Sequence, residues 1–273
     1  MDIKKTLKVS VIISNYNKSL FIKKCLNSLK NQTYKKFEII LCDDKSNDNS
    51  LLIARQFQKI KIISNKKKTK YPAINQISCL YQCFTVSSGD IIFFLDSDDY
   101  FHKDKIKKII NYFLNNSKLH FIQDNFFYEK NNFFYKNKNS NNSLFSIWPK
   151  IFPTSTMSFR RQYLKLIFNR IFRNDFKYLE IDARVTIFDY FNFKKKIILN
   201  KYLTYYSYDP NGIMANSYLF SKIWWKRRYD ANIFIRKILT NVSFKKKIFY
   251  IEYNVFSLFH KINNTYLKFI NKI

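Results

Sequence analysis

Gly89-Asp90-Ile91-Ile92-Phe93-Phe94-Leu95-Asp96-Ser97-Asp98-Asp99 is the stretch on which the fold turns. Its apolar run, Ile91 to Leu95, is too short for a helix and reads as a buried strand. Three carboxylates follow at once, Asp96, Asp98 and Asp99. Anions leaving the end of one strand repel each other, so a positive partner is expected among them. Oxygen ligands at a strand end suit a hard divalent ion such as Mg²⁺ or Mn²⁺. The competing reading is an Asp-rich turn capping a helix that begins near Lys103.

Upstream, the same pattern repeats. Val9 to Ile13 reads as a buried strand, followed by the polar turn Ser14-Asn15-Tyr16-Asn17-Lys18-Ser19 and a helical pattern from Leu20 to Asn31. Phe37 to Cys42 is a second strand ending in the polar cluster Asp43 to Ser50, with a helix from Leu51 to about Gln58. Ile60 to Ser64 is a third strand, and Ala73 to Val86 a helix. Such alternation argues for an α/β fold with a mostly parallel sheet and helices on both faces. Ligands of these sheets bind beyond the carboxyl ends of the strands. Ser14 to Asn17, Asp43 to Asp48 and Asp96 to Asp99 all lie at such ends.

Composition narrows the possibilities. With 273 residues, 47% apolar and 19% aromatic, the chain has the material for a sizeable core and is not disordered. A net charge of +30 points to an anionic partner, although Lys, Asn, Ile, Phe and Tyr in quantity with only 2 Gly also fit AT-rich coding. So few glycines exclude both GxGxxG and GxxxxGK[ST] phosphate loops. A diphosphate would need a metal and basic side chains, and Lys66-Lys67-Lys68-Thr69-Lys70 offers the latter or is merely a solvated loop. Cys25, Cys42, Cys79 and Cys83 lack zinc-finger spacing, and Cys79 and Cys83 share one side of a helix, where a small apolar thiol is usual. A reducing cytoplasm fits them. No secretory leader and no run of 18 uncharged apolar residues is present.

Four pieces in order resemble the GT-A glycosyltransferases of family 2: Val9 to Asn17, Leu26 to Thr33, Phe37 to Asp48, and Ser88 to Asp99. The resemblance is strong over about residues 7 to 115 and thinner to about 217. It implies a GT-A (Rossmann-like) mixed, mostly parallel central sheet flanked by helices, with a helical C-terminal extension. It also implies roles. Ser14 and Tyr16 contact the nucleoside, the Tyr16 ring against the base. Asp44 accepts a hydrogen bond from the uracil imide, favouring a UDP-sugar. Asp96-Ser97-Asp98 matches the DXD motif, with Asp98 the direct ligand of Mn²⁺ or Mg²⁺ and Asp96 nearer the ribose or sugar. Lys70 and Asn75 match positions directed toward the nucleotide. The Arg of the family's frequent Ala-Arg-Asn is replaced here, in Ala73-Ile74-Asn75, by Ile74.

Further on, His120 to Asp124 reads as a strand and Phe126 to Ser143 as a hairpin with a variable polar loop. Pro153 to Arg161 resembles the family's acceptor-side segment, which implies acceptor contacts from Thr154, Ser155, Arg160 and Arg161; a strand and helix cap is the alternative. Tyr178 to Arg184 resembles the segment carrying the catalytic acid. Asp182 then takes the acceptor hydroxyl's proton, help worth roughly 10²–10⁴ in rate. Glu180 is the rival, and either carboxylate also suits a helix dipole. In Leu203 to Met214 many members carry a His near the metal; Asp209 is the candidate substitute. Asn211 and Gly212 form a turn. From Tyr218 on, Trp224-Trp225-Lys226-Arg227-Arg228, Ile233 to Leu239 and Lys245 to Tyr250 alternate basic and apolar residues. They fit either a membrane-surface helix or a helical hairpin packed on the domain.

The expected organisation is a GT-A domain over 1–217, with a nucleotide-sugar-binding half at 1–115 and an acceptor-side half at 116–217, and a basic extension over 218–273. The leading function is a metal-dependent, inverting glycosyltransferase building a bacterial surface glycan such as capsule, lipooligosaccharide or lipopolysaccharide. Its partners are a nucleotide-sugar donor and a glycan or lipid-linked glycan acceptor, with no nucleic acid and oligomer formation open. A cytoplasmic location is expected, with peripheral contact of 218–273 at the anionic inner face of the cytoplasmic membrane. The alternatives are a GT-A-like nucleotidyltransferase, a basic nucleic-acid-binding protein, and a family member without activity.

Overall fold

A computed structural model describes residues 7–137, 149–172, 175–213 and 221–238, together with Asn254 and Leu258. The polar loop at 138–148, Met214, and the basic runs from Leu239 to Tyr250 lie outside the described residues.

The first half follows the expected alternation. Strands β1 (Val9–Asn15), β2 (Phe37–Asp43), β3 (Ile60–Ser64) and β4 (Ile91–Asp96) are parallel, and α1 (Ile22–Lys30), α2 (Ser50–Arg55) and α3 (Pro72–Val86) connect them. After β4 come β5 (Tyr100–Phe101), α4 (Lys105–Asn115), and the hairpin β6 (Phe121–Lys130) and β7 (Phe133–Lys136). Asn131 and Asn132 both take positive φ, 52° and 64°, the conformation a tight two-residue hairpin demands. A short 3₁₀ turn (Thr154–Thr156) leads into β8 (Met157–Arg160), α5 (Arg161–Ile171), α6 (Ile181–Asn192), β9 (Lys196–Ser207) and α7 (Lys222–Ile238).

All strands join one mixed sheet, in the order β3-β2-β1-β4-β8-β6-β9-β5 with β7 beside β6. Parallel pairing holds β3-β2-β1-β4 and the β6–β9 pair, whereas β8 runs antiparallel to both β4 and β6. The chain steps outward from β1 to β3, then returns to place β4 on the other side of β1. That reversal opens a crevice between the carboxyl ends of β1 and β4, the usual ligand position in such sheets.

Alternation along the strands sorts the core into two layers. Val9, Val11, Ile13, Ile91, Phe93 and Leu95 face α1 and α4, whereas Ile12, Ile40, Cys42, Ile92 and Phe94 face α3, α5 and α6. Ala231, Phe234 and Ile235 of α7 complete this second layer. In the described part of the extension, α7 packs on the domain, one of the two arrangements expected for it. All four cysteines are buried and unpaired, with Cys79 and Cys83 in the second layer.

Two details brace the fold, the first of them between the halves. Lys105, fully buried, donates to Asp124 (2.7 Å), to the Thr204 hydroxyl (2.6 Å) and to the Ser155 carbonyl (2.7 Å), tying α4 to β6, β9 and the 3₁₀ turn. Gly89, at the foot of β4, lets two backbones touch. A Cβ there would sit 2.5 Å from the Ser10 nitrogen and 2.7 Å from the Val9 carbonyl carbon. Gly89→Ala should therefore destabilise the fold by about 1–3 kcal/mol, as overpacking against backbone does. Urea denaturation measures this; an unchanged midpoint would remove the close-approach argument.

Candidate active site

Each strand end contributes a side chain to one rim. Ser14 and Asp96 are register partners across the β1–β4 crevice, and the Ser14 hydroxyl donates to Asp96 Oδ1 at 2.7 Å. Gln76 of α3 donates to the same oxygen at 2.9 Å. Burial, then the charge of Asp98, pushes the Asp96 carboxyl up to about 6. Ser97 is buried, its amide donating to the Ser14 carbonyl at 3.2 Å. Asp99 turns inward, accepting from the Ser155 hydroxyl at 2.6 Å and the Ser207 amide at 3.0 Å; burial holds its carboxyl well above the ordinary range. These aspartates do not cap α4, because β5 intervenes.

Asp98 meets the expected positive partner, and it is Lys18. Its ammonium lies 2.5 Å from Asp98 Oδ2 and also donates to Asp209 Oδ2. Asp209, in the turn after β9 and the candidate substitute for the His of many family members, thus reaches the Asp98–Lys18 pair, and its own Oδ1 accepts from the Asn211 amide at 2.9 Å. Gly212 closes that turn on the Asp209 carbonyl at 3.0 Å. Among the described residues no three His, Cys, Asp or Glu side chains form a ready ligand set. Yet Asp98 and Asp209 converge on one cation, and one or two carboxylates completed by substrate phosphates and water is the ordinary way to hold Mg²⁺. The donor set fits a hard divalent ion in the place Lys18 fills.

Asp44, expected to meet a nucleoside, lies just beyond the β2 end. Asn65 and Asn75 each donate to Asp44, at 2.6 and 2.9 Å, and burial raises its carboxyl. Asn75 also accepts from the Thr69 amide and hydroxyl, both at 2.8 Å, so it anchors the basic loop rather than reaching outward. Tyr16 is 44% exposed with the Lys68 ammonium 3.8 Å from its ring centroid, which leaves a flat aromatic face at the rim. Lys70 sits over Tyr71, 5.6 Å from the centroid.

The two rival acids separate clearly. Glu180 is ion-paired with Arg227 of α7, while burial raises its carboxyl. Asp182, in the first turn of α6, accepts the Ala183 amide at 2.7 Å and is pushed up to about 7 by burial and then by Glu180. Its charge adds to those that raise the Asp96 carboxyl. The Tyr206 phenol stands in the field of Asp99, Asp98, Asp182 and Asp96 together and is raised by burial first.

Arg160 and Arg161 are not brought to this rim. Because β8 is antiparallel to β4, Arg160 pairs with Ile91, at the opposite end of the strand from Asp96. Arg160 donates to the carbonyls of Leu119, Phe113 and Asn116, and Arg161 to the Gly89 carbonyl and the Ser87 hydroxyl. Both staple the foot of the sheet. Thr154 and Ser155 are buried; the Ser155 hydroxyl braces the acid turn by accepting the Asp96 amide at 3.0 Å as well as bonding Asp99. Sequence reasoning gave no role to Lys18, Gln76 or Arg227. Lys18 stood in the polar turn after β1, Gln76 beside Asn75, and Arg227 within the basic run that fitted either a membrane surface or a hairpin packed on the domain.

Comparison with known proteins bears on the family and the fold. The profile described as Glycosyl transferase family 2 matches residues 10–181. The chain is 36% identical over 122 residues to the UDP-Glc:alpha-D-GlcNAc-diphosphoundecaprenol beta-1,3-glucosyltransferase WfaP of Escherichia coli, covering 45% of this chain and 47% of that one. Such matches span about a third to a half of the length of the curated relatives. In fold it resembles Staphylococcus aureus TarS bound to UDP-GlcNAc (TM-score 0.59, 18% identity, 84% of this chain and 66% of that one). It likewise resembles the mannosyltransferase PcManGT of Pyrobaculum calidifontis bound to GDP-Man and Mn²⁺ (TM-score 0.61, 14% identity, 91% and 70%). The mixed sheet flanked by helices is that of GT-A glycosyltransferases. With the profile spanning more than half of its residues, the chain belongs to glycosyl transferase family 2.

Proposed function

We propose that this chain transfers a sugar from a UDP-sugar to a hydroxyl of a lipid-linked bacterial surface glycan, with inversion at the anomeric carbon and with Mn²⁺ or Mg²⁺. The observation that supports the reading is the acid-lined row of neighbouring strand ends: Ser14 faces Asp96 across β1 and β4, and the Asp44 amide donates to the Asn15 carbonyl at the β1 end, while the charge of Asp182 acts on Asp96. Such a row suits a base, a diphosphate and an acceptor hydroxyl.

The chain's own residues supply most of the work. Asp44, with both oxygens already oriented by amides, keeps lone pairs free to accept an imide N–H. Tyr16 offers its face to the base, and Ser14 and Gln76 hold Asp96 toward the ribose or sugar. Lys70 adds positive charge on the nucleotide side. Asp98, with Asp209 and Asp96, would hold a divalent ion, which when bound would supply charge stabilisation for a departing diphosphate. Asp182 accepts the acceptor hydroxyl's proton as that oxygen bonds to C1. The C1–O bond to the diphosphate breaks on the opposite face, and its electron pair leaves with the nucleotide. A carboxyl poised near neutrality suits this task. Glu180, neutralised by Arg227, is the weaker candidate.

The acceptor class rests on relatives such as WfaP, whose name specifies a diphosphoundecaprenol-linked substrate. Among the described residues no helix is long and apolar enough to cross a membrane. A peripheral seat at an anionic cytoplasmic face, supported by the +30 charge, would give access to such a lipid.

Thermal stabilisation by UDP, GDP, CDP and dTDP, each with and without Mn²⁺, tests the donor. UDP with Mn²⁺ should give the largest shift, and a preference for another base would overturn the Asp44 assignment. Asp98→Asn should abolish the Mn²⁺-dependent part of UDP binding, measured by calorimetry. Asp182→Asn should lower transfer by roughly 10²–10⁴ with UDP affinity retained; persistence of transfer, with loss in Glu180→Gln, would move the base to Glu180.

The fold should carry the same signature. A carboxyl raised to about 7 in the folded state, against about 3.9 unfolded, favours folding below the unfolded value and loses that contribution as pH rises through 7. Glu180, Asp96, Tyr206 and Arg227 are the groups that face it. Asp182→Asn should thus gain about 1–2 kcal/mol over the parent between pH 5 and pH 8 in metal-free buffer, the linkage being discounted for water contact. Denaturation at the two pH values reads the difference.

A further inference from the structure

We propose that Lys18 is the resident counter-cation of this site: it ties Asp98 to Asp209 while no divalent ion is present, and the incoming ion must displace it. The inference rests on the metal reading above and adds to it a competitor built into the chain.

Three separate strand ends meet at this ammonium. Lys18 follows β1, Asp98 follows β4 and Asp209 follows β9. The three side chains are only 15%, 17% and 7% exposed, unlike an ordinary solvated pair. Lys18 is also aimed rather than free to wander. Asn17 before it takes φ 51°, a left-handed position that Asn tolerates, and is pinned on both sides. Its amide donates to the Ser46 hydroxyl at 3.0 Å, and its Oδ1 accepts the Asn47 amide at 2.9 Å. The Phe21 ring, 5.9 Å from the ammonium, lines the same spot.

One ammonium serving two carboxylates leaves one negative charge uncompensated, so the site still attracts a cation of higher charge. A divalent ion held by the same two carboxylates, at about 2.0–2.1 Å for Mg²⁺, would stand within a few ångströms of the ammonium, and two positive charges that close repel each other strongly enough to compete for the seat. Ion binding therefore breaks two charge-assisted hydrogen bonds, and the affinity read in solution is lowered by the fraction of molecules in which Lys18 fills the site. Once displaced, the ammonium stays tethered at the rim, next to where a donor diphosphate would lie. Neutralising that anion is then its natural second task.

Two measurements on the full chain test this, neither relying on turnover. In Mn²⁺ titrations followed by the EPR signal of the free ion, Lys18→Met should bind about tenfold tighter or more than the parent if Lys18 fills the site nine-tenths of the time. Lys18→Arg should keep the weak affinity, and Asp98→Asn should lose it. In the unmodified protein, Mn²⁺ should accelerate reductive methylation of Lys18 relative to exposed Lys23, read by peptide mass spectrometry. If Asp98→Asn loses Mn²⁺ but Lys18→Met binds no tighter, or if Mn²⁺ leaves Lys18 methylation unchanged, the competition is overturned and the metal reading stands. If Asp98→Asn binds Mn²⁺ as the parent does, both fall.

Discussion

Repulsion between carboxylates gathered at the strand ends is the constraint around which this molecule is built. Each acid finds a different answer. Asp99 is absorbed into the scaffold by Ser155 and Ser207, Asp96 is held by Ser14 and Gln76, and Asp44 by Asn65 and Asn75. Asp98 and Asp209 share Lys18, and Glu180 takes Arg227. Asp182 accepts the Ala183 amide and, among the described residues, no side-chain donor. Compensation is therefore unequal: Asp182 is the acid that side-chain partners stabilise least.

The two ends of the sheet have opposite characters. The carboxyl ends carry acids and one shared lysine, whereas the foot of β4 carries Arg160 and Arg161 bonded to carbonyls. At that foot the guanidinium forks satisfy backbone acceptors that strand and helix ends leave open. Chemistry and scaffolding are thereby kept apart along a single strand, with Gly89 allowing the close contact at one end and Asp96 opening the other.

Much of this was legible in the chain. Short apolar runs with polar endings located β1 to β4 because buried parallel strands leave that unmistakable trace. The same logic brought Ser14, Asp44 and Asp96 to one rim. Direction within the second half was not legible. Whether Arg160 points to the rim or the foot depends on β8 running antiparallel to β4, a pairing across long sequence separation that local pattern does not encode. Lys18 escaped notice because a lysine in a polar turn is usually solvated. Its role emerges only when Asp98 and Asp209 arrive from distant strands. Arg227 sat in a basic run that fitted a membrane surface or a packed hairpin alike, until α7 was seen packed on α6.

The Arg227–Glu180 pair carries one more implication, about timing. Glu180 and Asp182 leave the ribosome well before Arg227, the cation that balances them. A nascent chain that has released the sheet but not α7 holds two neighbouring acids without their counterweight. Burying that edge of the domain is then unfavourable, so the start of α6 should settle late, as α7 docks, and should be the first to loosen when that helix is pulled away.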